Sequence, residues 1–359
     1  METVIQTSQL TKTFRGVVAV NGLDLRVGRG SVYGLIGRNG AGKTTTLRLL
    51  MGLLKPDSGE ARILGTNWWE ASADQRERVG YVSQTGHPPG WMSLEDLGRY
   101  SARFFTRWDS GLARELARRW MLPWNRPLER LSGGHQRLAS LLLALSARPE
   151  VLVLDEPAAG LDPVSRRDLL RSLVDALLRI DGCTVLLSTH LLADVERIAT
   201  HVGILDHGRI VGTGSVDDWQ RTMRRVQVVY PGDSLPPDAE VPGTIRSEDL
   251  GPVLTAIARI ADDAQLDPIR SLPGVRVHVF PLTLEELFIE WMGPSHAEAE
   301  PARDPDRMPR MIWDRSTDLA GVPPQHRVGV GGKSAIAPAE RECDARGGGP
   351  IPFPGSGGN

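Results

Sequence analysis

The chain has 359 residues, a formal charge of −2 and 24% charged residues, which suits an ordinary folded protein and gives no electrostatic reason to expect nucleic acid as a partner. Its length exceeds the roughly 250 to 300 residues at which single cores stop growing, so more than one domain is expected. The two cysteines, Cys183 and Cys343, are far apart and in no metal-ligand spacing, which argues against a disulfide framework or a zinc site.

Met1 to Gln9 is polar and lacks the apolar core of a secretory signal, and no run approaches the roughly 20 apolar residues that cross a bilayer. A reducing cytoplasm and, at any membrane, a peripheral place are expected. Val17 to Val27 and Ser31 to Ile36 read as short strands separated by Gly28 and Gly30. The second runs into a glycine-rich loop. An apolar face then continues through Leu47, Leu49, Leu50 and Leu53 until Pro56 and Gly59 stop the helix. Val79 to Ser83 is a further strand, ending at Gln84. From Trp91 to about Leu145 the pattern is helical, with Leu112, Leu116 and Trp120 recurring four apart. Val151 to Leu154 and Thr184 to Leu187 read as fully buried central strands. Between them, Val164 to Ile180 has helical spacing.

Beyond a hairpin-like stretch from Val202 to Gly214, the pattern predicts a small α+β appendage. It has strands at Val226 to Tyr230 and Val275 to Phe280 around a helix near Val253 to Ala261. A capping-box sequence, Thr283-Leu284-Glu285-Glu286, opens a closing helix whose Leu287, Phe288, Trp291 and Met292 share one face and are expected to dock on the appendage. From Pro294 onward ten Pro and ten Gly occur in 66 residues, so burial cannot offset the entropy of ordering and a disordered tail is expected. The expected division is 1–214 for an α/β domain with a helical insert at about 86–145, 215–293 for the appendage, and 294–359 for the tail.

Gly37-Arg38-Asn39-Gly40-Ala41-Gly42-Lys43-Thr44 follows a strand and opens a helix, the setting in which this pattern cradles phosphates. Gly37, Asn39, Gly40, Ala41, Gly42 and Thr45 are the expected loop contacts, because glycines let backbone N–H groups turn toward the anion and the helix N-terminus adds a favourable dipole. Lys43 supplies a compact positive charge to the β and γ phosphates, and the Thr44 hydroxyl is a ligand for Mg²⁺. Asp155 and Glu156 stand at the end of a buried strand, where a pair of carboxylates needs a cation. Asp155 is expected to hold Mg²⁺ and Glu156 to orient or deprotonate the water that attacks the γ phosphate of ATP. The bland alternative for such a pair is a helix cap.

Leu131-Ser132-Gly133-Gly134 is a second glycine pair before a helix, and again an anion-binding nest. One site does not need two. The order of these motifs resembles the ABC (ATP-binding cassette) ATPase family, which implies a P-loop NTPase fold of the ABC type and places Ser132, Gly133 and Gly134 against the ATP held by a second subunit. On the same resemblance Gln84 falls at the Q-loop, as a catalytic and metal-contact candidate. Gly160-Leu161-Asp162 falls at the D-loop, with Asp162 near the nucleotide, and His190 at the switch histidine. Taken singly, Gln84 also fits a solvated loop residue and His190 a satisfied surface or core histidine. Phe14 falls where the family stacks an aromatic ring on adenine, its alternative being a core aromatic. His135 replaces the usual glutamine, and Arg137 comes one place earlier than the customary arginine, departures that touch communication between the signature and the helical insert.

The single cassette, the stretch Phe104-Phe105-Thr106-Arg107-Trp108-Asp109 and the closing helix are similar to ATPase subunits of ABC-2-type exporters, including bacterial drug and peptide antibiotic exporters. The resemblance implies a peripheral subunit on the cytoplasmic face of a bacterial membrane. It implies a homodimer or heterodimer of ATPase subunits and a separate transmembrane ABC-2-type permease as partners. A soluble ABC ATPase acting in translation, repair or regulation is the competing class. Trp91, Trp108, Trp120 and Trp124 fall in the insert; core packing suits any one of them, and a docking groove for a permease helix is the functional alternative.

Overall fold

The computed structural model describes residues 2–86, 88–180, 182–232 and 240–291. The chain opens on two long antiparallel strands, β1 (Thr3–Phe14) and β2 (Val17–Gly28), reversed by Arg15-Gly16, both with positive φ, as a two-residue hairpin turn requires. Sequence reading misses β1. Its threonines, glutamines and serine hide the positions, Val4, Ile5 and Leu10, that are buried. Strand β3 (Val32–Ile36) leads through the glycine loop into helix α1 (Lys43–Leu50), followed by β4 (Ser58–Ile63) and β5 (Thr66–Asn67). Helix α1 stops before Leu53 because Gly52 turns left-handed, at φ 64°, and Leu53 is left exposed.

The short helix α2 (Ala73–Arg76) and strand β6 (Val79–Val82) precede three helices in the segment expected to be helical: α3 (Leu94–Ser101), α4 (Ser110–Arg119) and α5 (Gly133–Ser146). Ser93, Asp109 and Ser132 cap their N-termini. Leu112, Leu116 and Trp120 are all buried, as their spacing requires. Strand β7 (Val151–Asp155), α6 (Pro163–Leu177), β8 (Thr184–Thr189), α7 (Leu192–Ile198) and the hairpin of β9 (His201–Asp206) with β10 (Arg209–Ser215) complete the larger part.

One antiparallel sheet has the order β2-β1-β4-β5; the other runs β10-β9-β3-β8-β7-β6, parallel throughout except for β10. Every residue of β7 and β8 is buried, which explains their unbroken apolar runs. One face of the parallel sheet packs through Leu35, Val153 and Leu186 onto Leu47 of α1 and onto the first sheet. The opposite face packs through Leu152, Leu154 and Leu187 onto Leu142, Leu145 and Leu173 of α5 and α6. Ile36 aligns with Thr189, and Asp155 with Ser188, so the chain leaves β3, β7 and β8 at one common edge.

Helix α8 (Val216–Thr222) leads to β11 (Met223–Val229), β12 (Thr244–Asp249), β13 (Val253–Arg259), α9 (Asp267–Arg270), β14 (Arg276–Pro281) and α10 (Leu284–Trp291). The four strands form an antiparallel sheet ordered β12-β13-β11-β14. Two expectations need correction. The helix expected near Val253 to Ala261 is strand β13: Ala256 and Ala258 pack on Val226, Leu266 and Ile269, while Val253, Thr255 and Ile257 alternate with them, a period of two filled by β-branched residues. The closing helix has its capping box, Thr283 N–H donating to Glu286 Oε2 at 2.9 Å and Glu286 N–H to Thr283 Oγ1 at 3.2 Å. It does not dock on the appendage alone. Leu284 and Leu287 also pack with Leu192, Val195 and Val202, and the Leu284 N–H donates to Glu196 Oε1 at 2.6 Å. The expected disordered tail, 294–359, lies outside the described residues. Among the described residues no helix is long and apolar enough to cross a membrane.

Candidate functional site

Backbone geometry makes the loop after β3 what its composition suggests. A Cβ at Gly37 would lie 2.4 Å from the Leu205 carbonyl oxygen, so the loop passes too close to β9 for any other residue. Gly42 is left-handed at φ 105°, and a Cβ there would lie 2.3 Å from the Ala19 carbonyl oxygen. Gly42 caps α1 with no side-chain acceptor and no acidic residue follows in the first turn, so the first N–H groups of the helix are left for an outside anion. Asn39 and Gly40 are exposed at the lip of this concavity, Ala41 is buried beneath them, and Thr45 is half-buried in the first turn of α1.

Lys43 is only 6% exposed, and its ammonium donates to the Gly37 carbonyl at 2.8 Å and the Arg38 carbonyl at 3.3 Å. It also stands 3.3 Å from Glu156 Oε1. A buried cation on a helix N-terminus, facing unclaimed amides, is suited to a polyphosphate.

Strand β7 brings in the acidic pair. Asp155 Oδ1 accepts from Thr44 Oγ1 at 3.1 Å and from Ser188 Oγ at 2.7 Å, while its buried Oδ2 has no hydrogen-bond partner. An orphaned carboxylate oxygen beside a threonine hydroxyl is an oxygen donor set that fits a small hard cation such as Mg²⁺. Glu156 is 5% exposed and sits at φ 47°, a left-handed conformation that costs a residue with a side chain energy. Its N–H donates to both the Ser188 carbonyl at 3.1 Å and Ser188 Oγ at 3.0 Å, which holds the turn in place. Glu156 Oε2 is 2.9 Å from His190 Nδ1, so the carboxylate is pinned between Lys43 and the imidazole.

Ser188 is the residue that sequence reading missed. One hydroxyl serves both carboxylate residues, yet a serine after an apolar run carries no signal of its own. The neighbouring Asp194, on α7, is buried, and desolvation raises its pKa against the pull of Arg166, Arg197 and His190.

The other expected site residues are placed as follows. Gln84 follows β6 and is half-buried; among the described residues no hydrogen bond links its amide to Thr44 or Asp155, but its carbonyl accepts from Arg137 Nη2 at 2.5 Å. Ser132 caps α5, its Oγ accepting from the His135 N–H at 3.3 Å. Ser132 and Gly133 are exposed, a side chain at Gly133 would meet open space, and no hydrogen bond or ion pair joins this turn to Lys43, Asp155 or Glu156 of the same chain among the described residues. Gly134 lies half-buried beside Leu161 and Ser165. Asp162 is exposed and caps α6 through the N–H groups of Val164 and Ser165, and hydrogen bonding to Ser165 holds its carboxyl below the usual range. Phe14 is 43% exposed at the end of β1 with the Lys12 ammonium 5.6 Å from its ring centroid, so it is a surface ring rather than a core one.

Residues 20–159 match the ABC transporter family. Across 307 residues the chain is 33% identical to Nod factor export ATP-binding protein I of Cupriavidus metallidurans, covering 82% of this chain and 98% of that protein. This chain belongs to the ABC transporter family. It is an ATP-binding and ATP-hydrolysing subunit of the exporter type, built on the P-loop NTPase fold of ABC cassettes. The daunorubicin/doxorubicin resistance ATP-binding protein of Streptomyces peucetius is 37% identical over 61% of this chain and 67% of its own length. The bacitracin transport ATP-binding protein of Bacillus licheniformis is 31% identical over 63% and 74%. Among solved structures, the ATP-binding subunit of an ABC transporter superposes with a TM-score of 0.54 at 27% identity, over 61% of this chain and 92% of that one. A dimeric bacterial ABC transporter cassette, at 24% identity and a TM-score of 0.53, shares the fold over 59% and 98%.

Proposed function

We propose that two such ABC cassettes close head to tail over ATP and drive export of a drug-like or antibiotic molecule through a separate ABC-2-type permease. The observation that carries this is the joining of buried Lys43 and Glu156 with the exposed His190 in one chain of contacts beside the Thr44–Asp155 pair. The arrangement has the charge and the oxygen ligands a magnesium triphosphate requires. In this reading Gly37, Asn39, Gly40, Ala41, Gly42 and Thr45 wrap the phosphates, Lys43 neutralises them, and Phe14 stacks on the base. Thr44, Asp155 and Gln84 hold Mg²⁺, which, when bound, neutralises charge on the phosphate oxygens. Glu156 takes a proton from water while His190 keeps it aligned. Ser132, Gly133, Gly134 and Asp162 serve the nucleotide of the facing subunit, which explains why Ser132 and Gly133 are exposed and make no bond to their own Lys43 among the described residues.

Export is supported by relatives named for export or drug resistance. The permease is assigned to the insert, where Trp91, Tyr100 and Phe104 are 73%, 57% and 63% exposed and the last two rings lie 4.8 Å apart. Trp120 is buried, and Trp108 and Trp124 pack partly buried on the core. An open groove of about 290 Å³, lined by Val82, Ser83, Pro88, Phe105 and Ser140, adjoins the Gln84 loop and is suited to a short helix. We also place the peripheral subunit on the cytoplasmic face of a bacterial membrane, with 1–214 as the cassette, 215–293 as the accessory unit and 294–359 as a tail. The test is Glu156→Gln: phosphate release is lost while ATP is retained and the mass by light scattering doubles. A variant that stays monomeric with ATP contradicts the proposal.

A further inference from the structure

Arg137, a residue to which the roles above give no task, stands on α5 in the second turn after the exposed Ser132 cap. Its guanidinium spans two main-chain acceptors, donating from Nη1 to the Ser83 carbonyl at 3.2 Å and from Nη2 to the Gln84 carbonyl at 2.5 Å. No carboxylate lies within ion-pair distance of it among the described residues. Burial lowers its pKa and the nearby Asp155 carboxylate opposes that shift, so the guanidinium lies within the field of Asp155. A planar fork with two parallel donors fixes a peptide segment in both position and orientation, which a single-point cation does not.

Both ends of this link are stiff. Gln136 Nε2 donates to the Leu131 carbonyl at 3.0 Å, tying α5 to the residue before its cap, and the helix runs for 14 residues against the parallel sheet. Ser83 Oγ accepts from the Gly86 N–H at 2.9 Å, which closes the turn that carries Gln84. A displacement of Ser132 therefore reaches Gln84 through one rigid helix and two hydrogen bonds.

We propose that Arg137 is a positioning residue that couples the two ATP sites of the dimer, transmitting occupancy sensed at Ser132 to Gln84 of the same chain. The inference rests on the reading that Ser132 serves the nucleotide of the facing subunit while Gln84 serves its own. Its consequence is cooperativity: ATP held by the partner draws α5, the guanidinium carries the Ser83-Gln84 backbone with it, and Gln84 is set for the second ATP. No contact between Arg137 and nucleotide is required.

The experiment measures phosphate release against ATP concentration for the full chain and for Arg137→Ala and Arg137→Lys, with ADP binding as the control for an intact fold. ADP has no γ phosphate to bridge two chains. The wild type is expected to have a Hill coefficient of about two, falling to about one in Arg137→Ala as the coupling is lost. The maximal rate should drop about tenfold, the scale of one charge-assisted hydrogen bond, with ADP affinity unchanged within about twofold. Arg137→Lys, which keeps the charge and reaches one carbonyl at a time, should recover part of the rate but not the cooperativity. If Arg137→Ala fails to bind ADP, the Hill coefficient of Arg137→Lys decides. Unchanged cooperativity in a folded variant overturns the inference and leaves the shared-site reading intact. A wild type that dimerises with ATP but hydrolyses it without cooperativity also overturns it. A wild type that never dimerises removes the shared-site reading, and the inference with it.

Discussion

Ser188→Ala removes a single oxygen from the centre of the site. The hydroxyl is buried, donates to Asp155 Oδ1 at 2.7 Å and accepts from the Glu156 N–H at 3.0 Å, so two groups lose a partner at once. Asp155 Oδ1 would keep only the Thr44 hydroxyl, and the Glu156 N–H only the Ser188 carbonyl at 3.1 Å. A hydrogen bond to a buried carboxylate contributes about 1.5–3 kcal/mol, and the partly compensated N–H adds little, so a loss of about 2 kcal/mol in unfolding free energy is expected. The bond from the Glu156 N–H to the Ser188 hydroxyl also helps to hold Glu156 in its left-handed turn. With only the Ser188 carbonyl left to anchor it, that residue is held less firmly and its carboxylate is less well placed between Lys43 and His190, for an expected fall in kcat of about 30-fold. Urea denaturation of the nucleotide-free protein gives the first number and steady-state phosphate release the second. A variant with unchanged midpoint and turnover would refute the claim that Ser188 organises the pair.

Three further substitutions test other parts of the account. Gly42→Ala forces a Cβ against the Ala19 carbonyl oxygen at a left-handed φ, and should abolish ATP retention in an equilibrium filter assay, with a stability cost of about 2 kcal/mol or more. Asp109 caps α4 and pairs with Arg148 at 2.7 Å, and the hydrogen bond from the Leu112 N–H followed by that pairing hold its carboxyl below the usual range. Because its folded pKa is depressed, its contribution is present above the unfolded value and lost as pH falls through the folded one. Asp109→Ala should therefore cost about 1–2 kcal/mol near neutral pH, discounted for partial exposure, with the difference from wild type closing in acid melts. Asp194 has the opposite sign. Its raised folded pKa makes the ionised form a liability as pH rises through that pKa, so Asp194→Asn should melt higher than wild type at neutral pH, and the gain should vanish below the ordinary carboxylate range.

What the sequence discloses follows from how local each signal is. The loop around Lys43 and the β7 and β8 runs are legible because contiguous residues decide them: glycines where no Cβ fits, and apolar residues where every position is buried. Strand β1 is not legible, since its partners β2 and β4 select which of its mixed residues face inward. The run Val253–Arg259 is apolar enough to read as a buried helix, and its alternating β-branched residues gain their meaning as a strand from pairing with β11 and β12. The docking of α10 on Leu192 and Val195 likewise depends on residues distant in the chain. At the site, the residue types of Lys43, Glu156 and His190 were readable but their joining was not, nor was the service of Ser188 to both carboxylate residues. Arg137 reads from the sequence as a displaced arginine; its two carbonyl partners appear only once α5 lies beside the turn after β6.

Complementation in trans tests most directly whether each ATP lies between the lysine loop of one copy and the serine-glycine turn of another. Lys43→Ala and Ser132→Arg, each made in a Glu156→Gln background that stops turnover, are purified separately and then mixed with ATP before gel filtration. Neither variant should carry nucleotide through the column by itself, whereas the mixture should elute as a dimer holding one ATP per pair of chains. A mixture as empty as its components, or a Ser132→Arg protein that retains ATP as a monomer, would contradict the account.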